Sequence, residues 1–337
     1  MPSNKILVKR LIKGINKLSE NIQEDINIME VCGTHTRCIY EYGIPSLLPS
    51  NIKLLSGPGC PICVTPNSYI DSVENLACEN IIITSFHEVS SLKEFIKPVY
   101  SPFDALSLAK KTEKEVVFLG IGFEPTSTIT AIALKRAKEL NINNFSLLSY
   151  FKTMPQVLEM VSKNNIQGFI CPGHVGAIIG NNVFNKIAIK SEKPMVMCGF
   201  EPMDILIGIH KVLKMIYFKK YKCSNVYNRV VKKEGNKKAI ELINEVFEND
   251  NSVWRGFGEV KKSGFKLSKE YERFSAFKRF SIKSTLQEEK SSCICSEIIQ
   301  GKKSPKECTN FNLNCNPKNP IGPCMLSSEG ACRIWTL

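Results

Sequence analysis

Short apolar runs recur along the chain between residues 28 and 197, and stretches of helical periodicity separate them. Runs of this kind, several of them β-branched and without alternation of apolar and polar residues, are typical of parallel strands buried on both faces. The pattern predicts eight strands in two sets of four, at residues 28–31, 52–55, 81–84 and 98–100, then 116–119, 145–149, 168–170 and 194–197. Residues 127–140 and 154–162 are predicted crossover helices. We therefore expect an α/β fold of two consecutive parallel-sheet units that face a central cleft.

The segments outside these strands complete the expected organisation. Residues 1–27 include apolar side chains at helical spacing, but lysines lie between them. The segment therefore lacks the continuous apolar core of a signal peptide. No apolar run elsewhere reaches the roughly 18–20 residues of a membrane helix, and we expect a cytoplasmic protein whose thiols stay reduced. The expected domains are residues 28–112 and 113–213, both α/β, and residues 214–337, a helical and cysteine-rich domain with the helix of residues 1–27 packed nearby.

The loops that follow the predicted strands carry reactive and hydrogen-bonding side chains together with Gly and Pro. These loops are Cys-Gly-Thr-His-Thr (32–36), Gly-Pro-Gly-Cys-Pro-Ile-Cys (57–63), Gly-Phe-Glu-Pro-Thr (122–126), Phe-Lys-Thr-Met-Pro (151–155), Pro-Gly-His-Val (172–175) and Gly-Phe-Glu-Pro (199–202). Open parallel sheets bind ligands beyond the carboxyl ends of their strands. We therefore expect the active site in a cleft lined by these loops.

The charge changes this picture little. The net charge is +13, but the lysines are scattered and no basic stripe is interleaved with aromatic residues. Solvated helix faces explain the charge, and a nucleic-acid-binding protein is disfavoured.

The chain has fourteen cysteines, and grouped cysteines in a reducing compartment indicate metal or redox chemistry. Six lie in the tail, at Cys293, Cys295, Cys308, Cys315, Cys324 and Cys332. Zinc ribbons usually have two CxxC pairs and this tail has none, so the spacing favours an iron–sulfur cluster with four thiolate ligands. A zinc site, and disulfides or inert thiols, remain open on spacing alone.

The strand-end loops hold further candidates. Cys60 and Cys63 form the CxxC of the chain, and such thiols readily form a reversible disulfide. Cys32 and His35 place a thiol near an imidazole, which can lower the thiol pKa or bind a metal with it. His174 follows another strand end.

Two carboxylates, Glu124 and Glu201, both follow Gly-Phe. Each is expected to hold a neighbouring loop by accepting backbone N–H bonds, or else to be a solvated surface carboxylate.

Taken together, these motifs closely resemble the HypD family of hydrogenase maturation proteins, over nearly the whole chain. The resemblance rests on Glu-Val-Cys-Gly-Thr-His-Thr (30–36), Gly-Pro-Gly-Cys-Pro-Ile-Cys-Val-Thr (57–65), Gly-Phe-Glu (122–124), Pro-Gly-His-Val (172–175), Gly-Phe-Glu-Pro-Met-Asp (199–204), Glu-Gly-Asn (234–236), Trp-Arg-Gly (254–256) and Ser-Ser-Glu-Gly-Ala-Cys (327–332). It implies a [4Fe-4S] cluster held by Cys293, Cys308, Cys315 and Cys332. Cys295 and Cys324 are then left as a redox-active thiol pair, and Glu329 is expected to orient the cluster loop.

The resemblance also implies a function. Such proteins are scaffolds on which the Fe(CN)2CO unit of [NiFe]-hydrogenase is assembled, so the chain is expected to be a redox-active scaffold rather than a conventional turnover enzyme. Transient iron is expected at Cys32, with His35 nearby, in complex with a HypC-type chaperone. A HypE-type protein is expected to deliver cyanide as a thiocyanate, and its release consumes two electrons from Cys60 and Cys63. The hydrogenase large subunit is an indirect partner, and neither nucleic acid nor a membrane is expected.

The chain departs from the family pattern after the strand at residues 81–84. The family usually has Gly-Asp and then an Arg-Val-Pro loop, whereas this chain has Ser85, Phe86, His87 and Glu88 and a shorter connection. Two alternatives therefore stay open: an iron–sulfur thiol-disulfide oxidoreductase, and a divergent HypD-like protein that serves another metal centre.

Overall fold

The computed structural model describes residues 4–74, 76–282 and 292–337. The strands of these residues are β1 (Ile26–Glu30), β2 (Ile52–Ser56), β3 (Ile81–Phe86), β4 (Ile96–Val99), β5 (Glu115–Gly122), β6 (Phe145–Phe151), β7 (Gly168–Cys171), β8 (Met195–Met197), β9 (Cys223–Asn225), β10 (Phe247–Trp254) and β11 (Gly258–Leu267). A strand lies at each of the eight predicted places. The strands β9, β10 and β11 were not predicted.

The strands form two parallel sheets and one antiparallel hairpin. The five-stranded sheet has the order β2-β1-β7-β8-β9, and the four-stranded sheet has the order β4-β3-β5-β6. Neighbouring strands within each of these sheets are parallel. The hairpin joins β10 to β11. The predicted α/β class, with two parallel sheets and a cysteine-rich region, is confirmed.

The prediction that the two sheets are consecutive in sequence is wrong. The first sheet takes β1 and β2, and then β7, β8 and β9, whereas β3 to β6 form the second sheet as one insertion. The residue 112/113 boundary therefore falls within the insertion that builds the second sheet. An apolar run indicates that a strand is buried on both faces. It does not indicate which strands are its neighbours, because strand pairing depends on contacts between residues distant in sequence.

The helices are α1 (Asn4–Ile22), α2 (Gly33–Glu41), α3 (Asn67–Glu74), α4 (His87–Ser90), α5 (Pro102–Ala109), α6 (Glu124–Glu139), α7 (Met154–Val161), α8 (Gly173–Ile179), α9 (Asn181–Ser191), α10 (Pro202–Tyr217), α11 (Lys237–Val246), α12 (Ala276–Arg279), α13 (Cys295–Ile299), α14 (Pro323–Leu326) and α15 (Ala331–Ile334). Short 3₁₀ turns lie at Ile44–Leu47, Lys269–Phe274 and Pro305–Glu307. Helices α6, α7 and α10 each have a proline at the first or second position. A backbone N–H at these positions would have no partner within the helix, so its absence in proline costs no hydrogen bond. These prolines start each helix close behind a strand, which leaves a tight loop at the strand end.

Three buried clusters hold these elements together. The largest joins residues of both parallel sheets to the cysteine-rich tail, including Met29, Leu119, Phe169 and Cys324. A second covers the other face of the four-stranded sheet with α5, α6 and the hairpin. The third packs α1 and α10 on the outer face of the five-stranded sheet, and α1 lies against α10. Among the residues that the structure describes, no helix is long and apolar enough to cross a membrane.

Candidate functional site

Cys32 lies in the turn between β1 and α2, where a buried carboxylate fixes the backbone. Its N–H donates to Glu30 Oε2 at 3.0 Å, and the Thr36 hydroxyl donates to the other oxygen of the same carboxylate. Burial, followed by the negative charges of Glu329 and Glu30, raises the pKa of the Cys32 thiol to about 12. Cys32 is therefore a neutral thiol near pH 7, and binding a metal would require it to lose its proton.

Two glycines bring three loops into contact around Cys32. A Cβ on Gly59 would collide with the backbone of Cys32, and a Cβ on Gly33 would lie 2.8 Å from the carbonyl oxygen of Glu329. Glycine is required at both positions because the neighbouring backbone leaves no room for a side chain. The Cys60–Cys63 loop and the tail therefore both pack directly on the Cys32 loop.

Cys60 and Cys63 are paired as a disulfide, with their Cα atoms 5.3 Å apart. The N–H of Cys63 donates to Cys60 Sγ at 3.2 Å, and Ser327 Oγ of the tail lies 3.4 Å from the same sulfur. Both cysteines are buried. The disulfide therefore lies in the interior, where its own backbone and the tail contact Cys60 Sγ.

His35 and His174 lie on the two faces of Phe200. The ring centroids of His35 and Phe200 are 4.7 Å apart, and those of His174 and Phe200 are 3.9 Å apart. His35 Nε2 donates to the carbonyl oxygen of Gly199 at 2.9 Å, because a carbonyl oxygen only accepts. Burial lowers the pKa of His35 to about 4. The ring is neutral, and its other nitrogen, Nδ1, is buried without a hydrogen-bond partner among the described residues.

A small pocket of about 190 Å³ connects these loops. Its lining includes Cys32, Gly59, Phe123, Met154, His174 and Glu329. These residues come from the ends of strands in both parallel sheets and from the tail, as the rule for open α/β sheets predicts. The polar side chains of its lining are the thiol, the imidazole, the carboxyl group and the hydroxyls of Thr34 and Thr126.

Glu124 and Glu201 differ although their local sequences match. Glu124 is 2% exposed, and its Oε1 accepts a bond of 3.0 Å from the N–H of Met154, so it holds the next loop as expected. Its Oε2 has no hydrogen-bond partner within the described ranges, and burial raises its pKa to about 7. Glu201 is exposed and makes no side-chain cap on α10, so it is a surface carboxylate.

Four tail cysteines converge on one another. Burial, and then the charges of Cys293, Cys308 and Cys315, raises the pKa of Cys332 to about 12. The N–H of Ile321 donates to Cys315 Sγ at 3.3 Å, and backbone bonds to sulfur of this kind are common around iron–sulfur clusters. Gly322 leaves the space that the Cys293 sulfur occupies.

The donor chemistry of these four cysteines is that of a [4Fe-4S] cluster, which takes four thiolates. Among the described residues, no group of three or more His, Cys, Asp or Glu is arranged to hold a metal ion. The two remaining tail cysteines, Cys295 and Cys324, are paired as a second disulfide with a Cα–Cα distance of 6.4 Å.

Glu329 lies at the Cys32 site, although it precedes the last tail cysteine by three residues. Thr34 Oγ1 donates to its Oε1 at 3.0 Å, and the hydroxyl of Ser328 donates to Glu88. Burial, and then the charge of Glu88, raises the pKa of Glu329. The segment that departs from the family pattern therefore reaches the site through Glu88.

Glu30, Thr34 and Phe200 are parts of the site that were not predicted from the sequence. Glu30 and Thr34 lie inside the Cys32 motif, and their spacing around the cysteine could have indicated them. Phe200 separates two candidate histidines only in space, so no local pattern marks it.

Comparisons with known proteins show which proteins the chain is similar to. The family described as "HypD: Hydrogenase formation hypA family" matches residues 6–337. A hydrogenase expression/formation protein of Methanocaldococcus jannaschii is 39% identical over 99% of this chain and 97% of its own. The hydrogenase maturation factor HypD of Escherichia coli is 36% identical over 98% of this chain and 93% of its own, and that of Rhodobacter capsulatus is 35% identical over 98% and 94%.

Proposed function

The chain belongs to the HypD family of hydrogenase formation proteins, and from that premise we propose that it is a scaffold on which the Fe(CN)2CO unit of [NiFe]-hydrogenase is assembled. The observation that carries the proposal is the direct packing of the Cys60–Cys63 loop on Cys32, through Gly59. This contact places a candidate iron ligand beside a candidate two-electron reagent.

Cys32 is the proposed ligand for the iron that is the cargo of the scaffold. Thiolates bind Fe(II), and a thiol held neutral by burial exchanges its proton for the metal when it binds. One cysteine cannot satisfy an iron ion, so the remaining protein ligand is proposed to come from a HypC-type chaperone. His35, neutral and with a free Nδ1 lone pair, is proposed to accept a hydrogen bond or proton near that iron.

Cys60 and Cys63 are the proposed source of the electrons that release cyanide. The donor is a thiocyanate, R–S–C≡N, on the HypE-type partner. Two thiolates of the reduced pair form the Cys60–Cys63 disulfide, the S–CN bond breaks, and the products are R–S⁻ and CN⁻, so atoms and charge balance. Cyanide then binds the iron at Cys32. The observed disulfide corresponds to the oxidised state after this step.

The tail cysteines are proposed to restore the dithiol. A [4Fe-4S] cluster bound by Cys293, Cys308, Cys315 and Cys332 supplies electrons one at a time. Cys295 and Cys324 lie in the same tail and are a second pair that can store two electrons. Ser327, beside Cys60, connects the tail with the first pair.

Infrared spectroscopy of the anaerobic complex tests this proposal. The chain is co-purified with a HypC-type and a HypE-type partner, and iron and sulfide are measured in the same sample. We expect CN and CO stretching bands in the complex and their loss in Cys32→Ala. The matched control is Cys38→Ala, since Cys38 is a buried thiol on α2, the helix that follows Cys32.

The alternative is a thiol-disulfide oxidoreductase, which the two cysteine pairs would also suit. It predicts partner-independent reduction of a disulfide substrate by the Cys60–Cys63 pair. A complex that forms with its cluster intact but shows no CN or CO bands would overturn the scaffold role and leave this alternative.

A further inference from the structure

The helices α1 and α10, which cover the outer face of the five-stranded sheet, present positive charge to the solvent. In α1, exposed lysines recur at every fourth residue, at Lys5, Lys9, Lys13 and Lys17. Side chains four residues apart lie on the same side of a helix, so these lysines form one stripe. No Asp or Glu lies between residues 1 and 19, or between residues 205 and 233, which include most of α10. Carboxylates of the same segments therefore do not balance the charge.

The lysines of α10 lie beside those of α1. The two helices pack together, and a Cβ on Gly14 of α1 would lie 2.9 Å from Nε2 of His210 of α10. Lys13 precedes this contact in α1, and Lys211 and Lys214 follow it in α10. Positive charges of both helices therefore lie on either side of one contact.

These lysines have no carboxylate partner. Among the described residues, none of the lysines of α1 and α10 forms an ion pair, whereas lysines elsewhere do, at Lys53, Lys135 and Lys190. Unpaired charges of one sign raise the local concentration of anions. The face is thus suited to an anionic ligand with charge spread over a wide area.

Three aromatic side chains project at the end of α10. Tyr217, Phe218 and Tyr221 are 45%, 53% and 41% exposed, and Nζ of Lys220 lies 5.9 Å from the centre of the Phe218 ring. Residues 217–222 read Tyr-Phe-Lys-Lys-Tyr-Lys, and all six are exposed. The prediction that no basic stripe is interleaved with aromatic residues is therefore wrong for this segment. The basic face consists of the lysines of α1 and α10 and residues 217–222.

The aromatic end of the basic face lies far from the Cys32 site. Helix α10 begins at Pro202, close behind Phe200, and its 16 residues extend over about 24 Å. The N–H of Met195, at the start of β8, donates to the carbonyl oxygen of Lys222 at 3.0 Å. Lys222 therefore lies at the amino ends of the parallel strands, whereas the Cys32 site lies at their carboxyl ends. A surface bound at this end leaves the site open to partners.

We propose that the basic face binds the anionic phospholipid surface of a membrane and that Tyr217, Phe218 and Tyr221 enter its headgroup layer. Clusters of lysines attract anionic lipids, and aromatic side chains bury their apolar surface at the headgroup boundary. Lysines carry nearly all of the charge, whereas interfaces between proteins are enriched in arginine and depleted in lysine. Single-stranded nucleic acid binds in a basic groove, and this face is the outer side of two helices. The proposal departs from the expectation that no membrane is a partner, and it does not depend on the proposed function.

Co-sedimentation of the full-length protein with lipid vesicles tests the charge. Binding is expected to vesicles of equal parts phosphatidylcholine and phosphatidylglycerol, to weaken as salt is added, and to be absent with phosphatidylcholine alone. A triple variant with glutamine at residues 219, 220 and 222 is expected to bind more weakly, by about fivefold for each lysine. The matched control has glutamine in place of Lys110, Lys111 and Lys114, which are exposed lysines after α5, and is expected to bind like the wild type.

Phe218→Ser tests the aromatic end of the face without a change in charge. It is expected to weaken binding to the anionic vesicles by about fivefold, because it removes apolar surface that would enter the headgroup layer. Unchanged binding overturns the role of the aromatic side chains. Circular dichroism of each variant shows that the fold is kept, which is expected because the substituted side chains are exposed.

Three results would overturn the inference. The first is that the wild type does not bind the anionic vesicles, and the second is that both triple variants lose binding equally. The third is that the wild type binds an oligodeoxythymidine or a polyglutamate peptide but no vesicles, and loses this binding in the variant at residues 219, 220 and 222. That result would assign the face to a nucleic acid or to an acidic protein instead.

Discussion

Glu124→Gln is predicted to remove a pH-dependent loss of stability. The Glu124 carboxyl group is buried, one of its oxygens lacks a partner in the described part of the chain, and its pKa is raised from 4.5 to about 7 by burial. At about 1.4 kcal/mol for each tenfold change in ionisation, that rise corresponds to about 3 kcal/mol. Glutamine has the same shape, keeps an oxygen for the N–H of Met154, and carries no charge.

The direction of the change in stability depends on whether the folded or the unfolded chain loses the Glu124 proton at the lower pH. Below pH 4.5 the carboxyl group is neutral in the folded and unfolded chain, and the raised pKa has no effect on stability. Between pH 4.5 and about 7 only the unfolded chain loses the proton, so the free energy of unfolding falls as the pH rises. Above about pH 7 the loss is complete. Glu124→Gln does not undergo this loss. Its free energy of unfolding is therefore expected to rise relative to that of the wild type as the pH rises.

Urea unfolding followed by circular dichroism measures the effect. Between about pH 5 and about pH 8, the stability of Glu124→Gln relative to the wild type is expected to rise by about 2.5 kcal/mol. Glu201→Gln is the matched control, because Glu201 also follows Gly-Phe but is exposed, and its difference from the wild type is expected to stay constant. A constant difference for Glu124→Gln would refute the reasoning.

Three further changes have defined outcomes. Gly59→Ala is expected to lower the free energy of unfolding by about 1–3 kcal/mol or more, measured by urea unfolding, because its Cβ meets the backbone of Cys32. An unchanged midpoint would contradict the close packing. The Lys152 side chain is fully buried, and burial lowers its pKa well below 10.5. Because the unfolded chain binds that proton more tightly than the folded chain, the free energy of unfolding of the wild type rises with pH up to about 10.5. Lys152→Met should lose that rise in the same measurement, and a parallel pH profile would argue against it. Cys308→Ser is expected to lower iron and sulfide content, while Cys78→Ser, at an exposed thiol, leaves both unchanged; equal metal content in the two variants would count against the ligand set.

Eight of the nine strands of the two parallel sheets could be predicted, because each contains an apolar run that is visible in the local sequence. Strands such as β5 and β7 are buried on both faces, so they appear as uninterrupted apolar runs. The hairpin strand β10 is exposed over much of its length and reads Phe-Glu-Asn-Asp-Asn-Ser-Val-Trp, with no apolar run. The strand β9 reads Cys-Ser-Asn and also has no apolar run. Sheet membership could not be predicted either, since it depends on pairing between distant strands.

The parts of the candidate site that consist of cysteines could be predicted from the sequence, because grouped cysteines indicate metal or redox chemistry. The grouped cysteines of the sequence indicate the Cys60–Cys63 loop and the tail. The two Gly-Phe-Glu motifs show the limit, because identical neighbours surround a buried carboxyl group at Glu124 and an exposed one at Glu201. Burial is a property of the tertiary structure, so local sequence could not separate them.

The tail has a structural role at the Cys32 site in addition to its proposed electron supply. Residues 327–329 lie between Cys324 and Cys332, and they provide the contacts of Ser327 with Cys60 and of Glu329 with Thr34. Tail residues such as Ile298 and Met325 pack in the largest buried cluster, and the Cys295–Cys324 disulfide fixes the chain before residues 327–329. After these residues the chain reaches Cys332, a proposed cluster ligand, so loss of the proposed cluster would weaken both contacts. It follows that iron assembly at Cys32 should fail in a cluster-free protein even when an external reductant keeps the Cys60–Cys63 pair reduced.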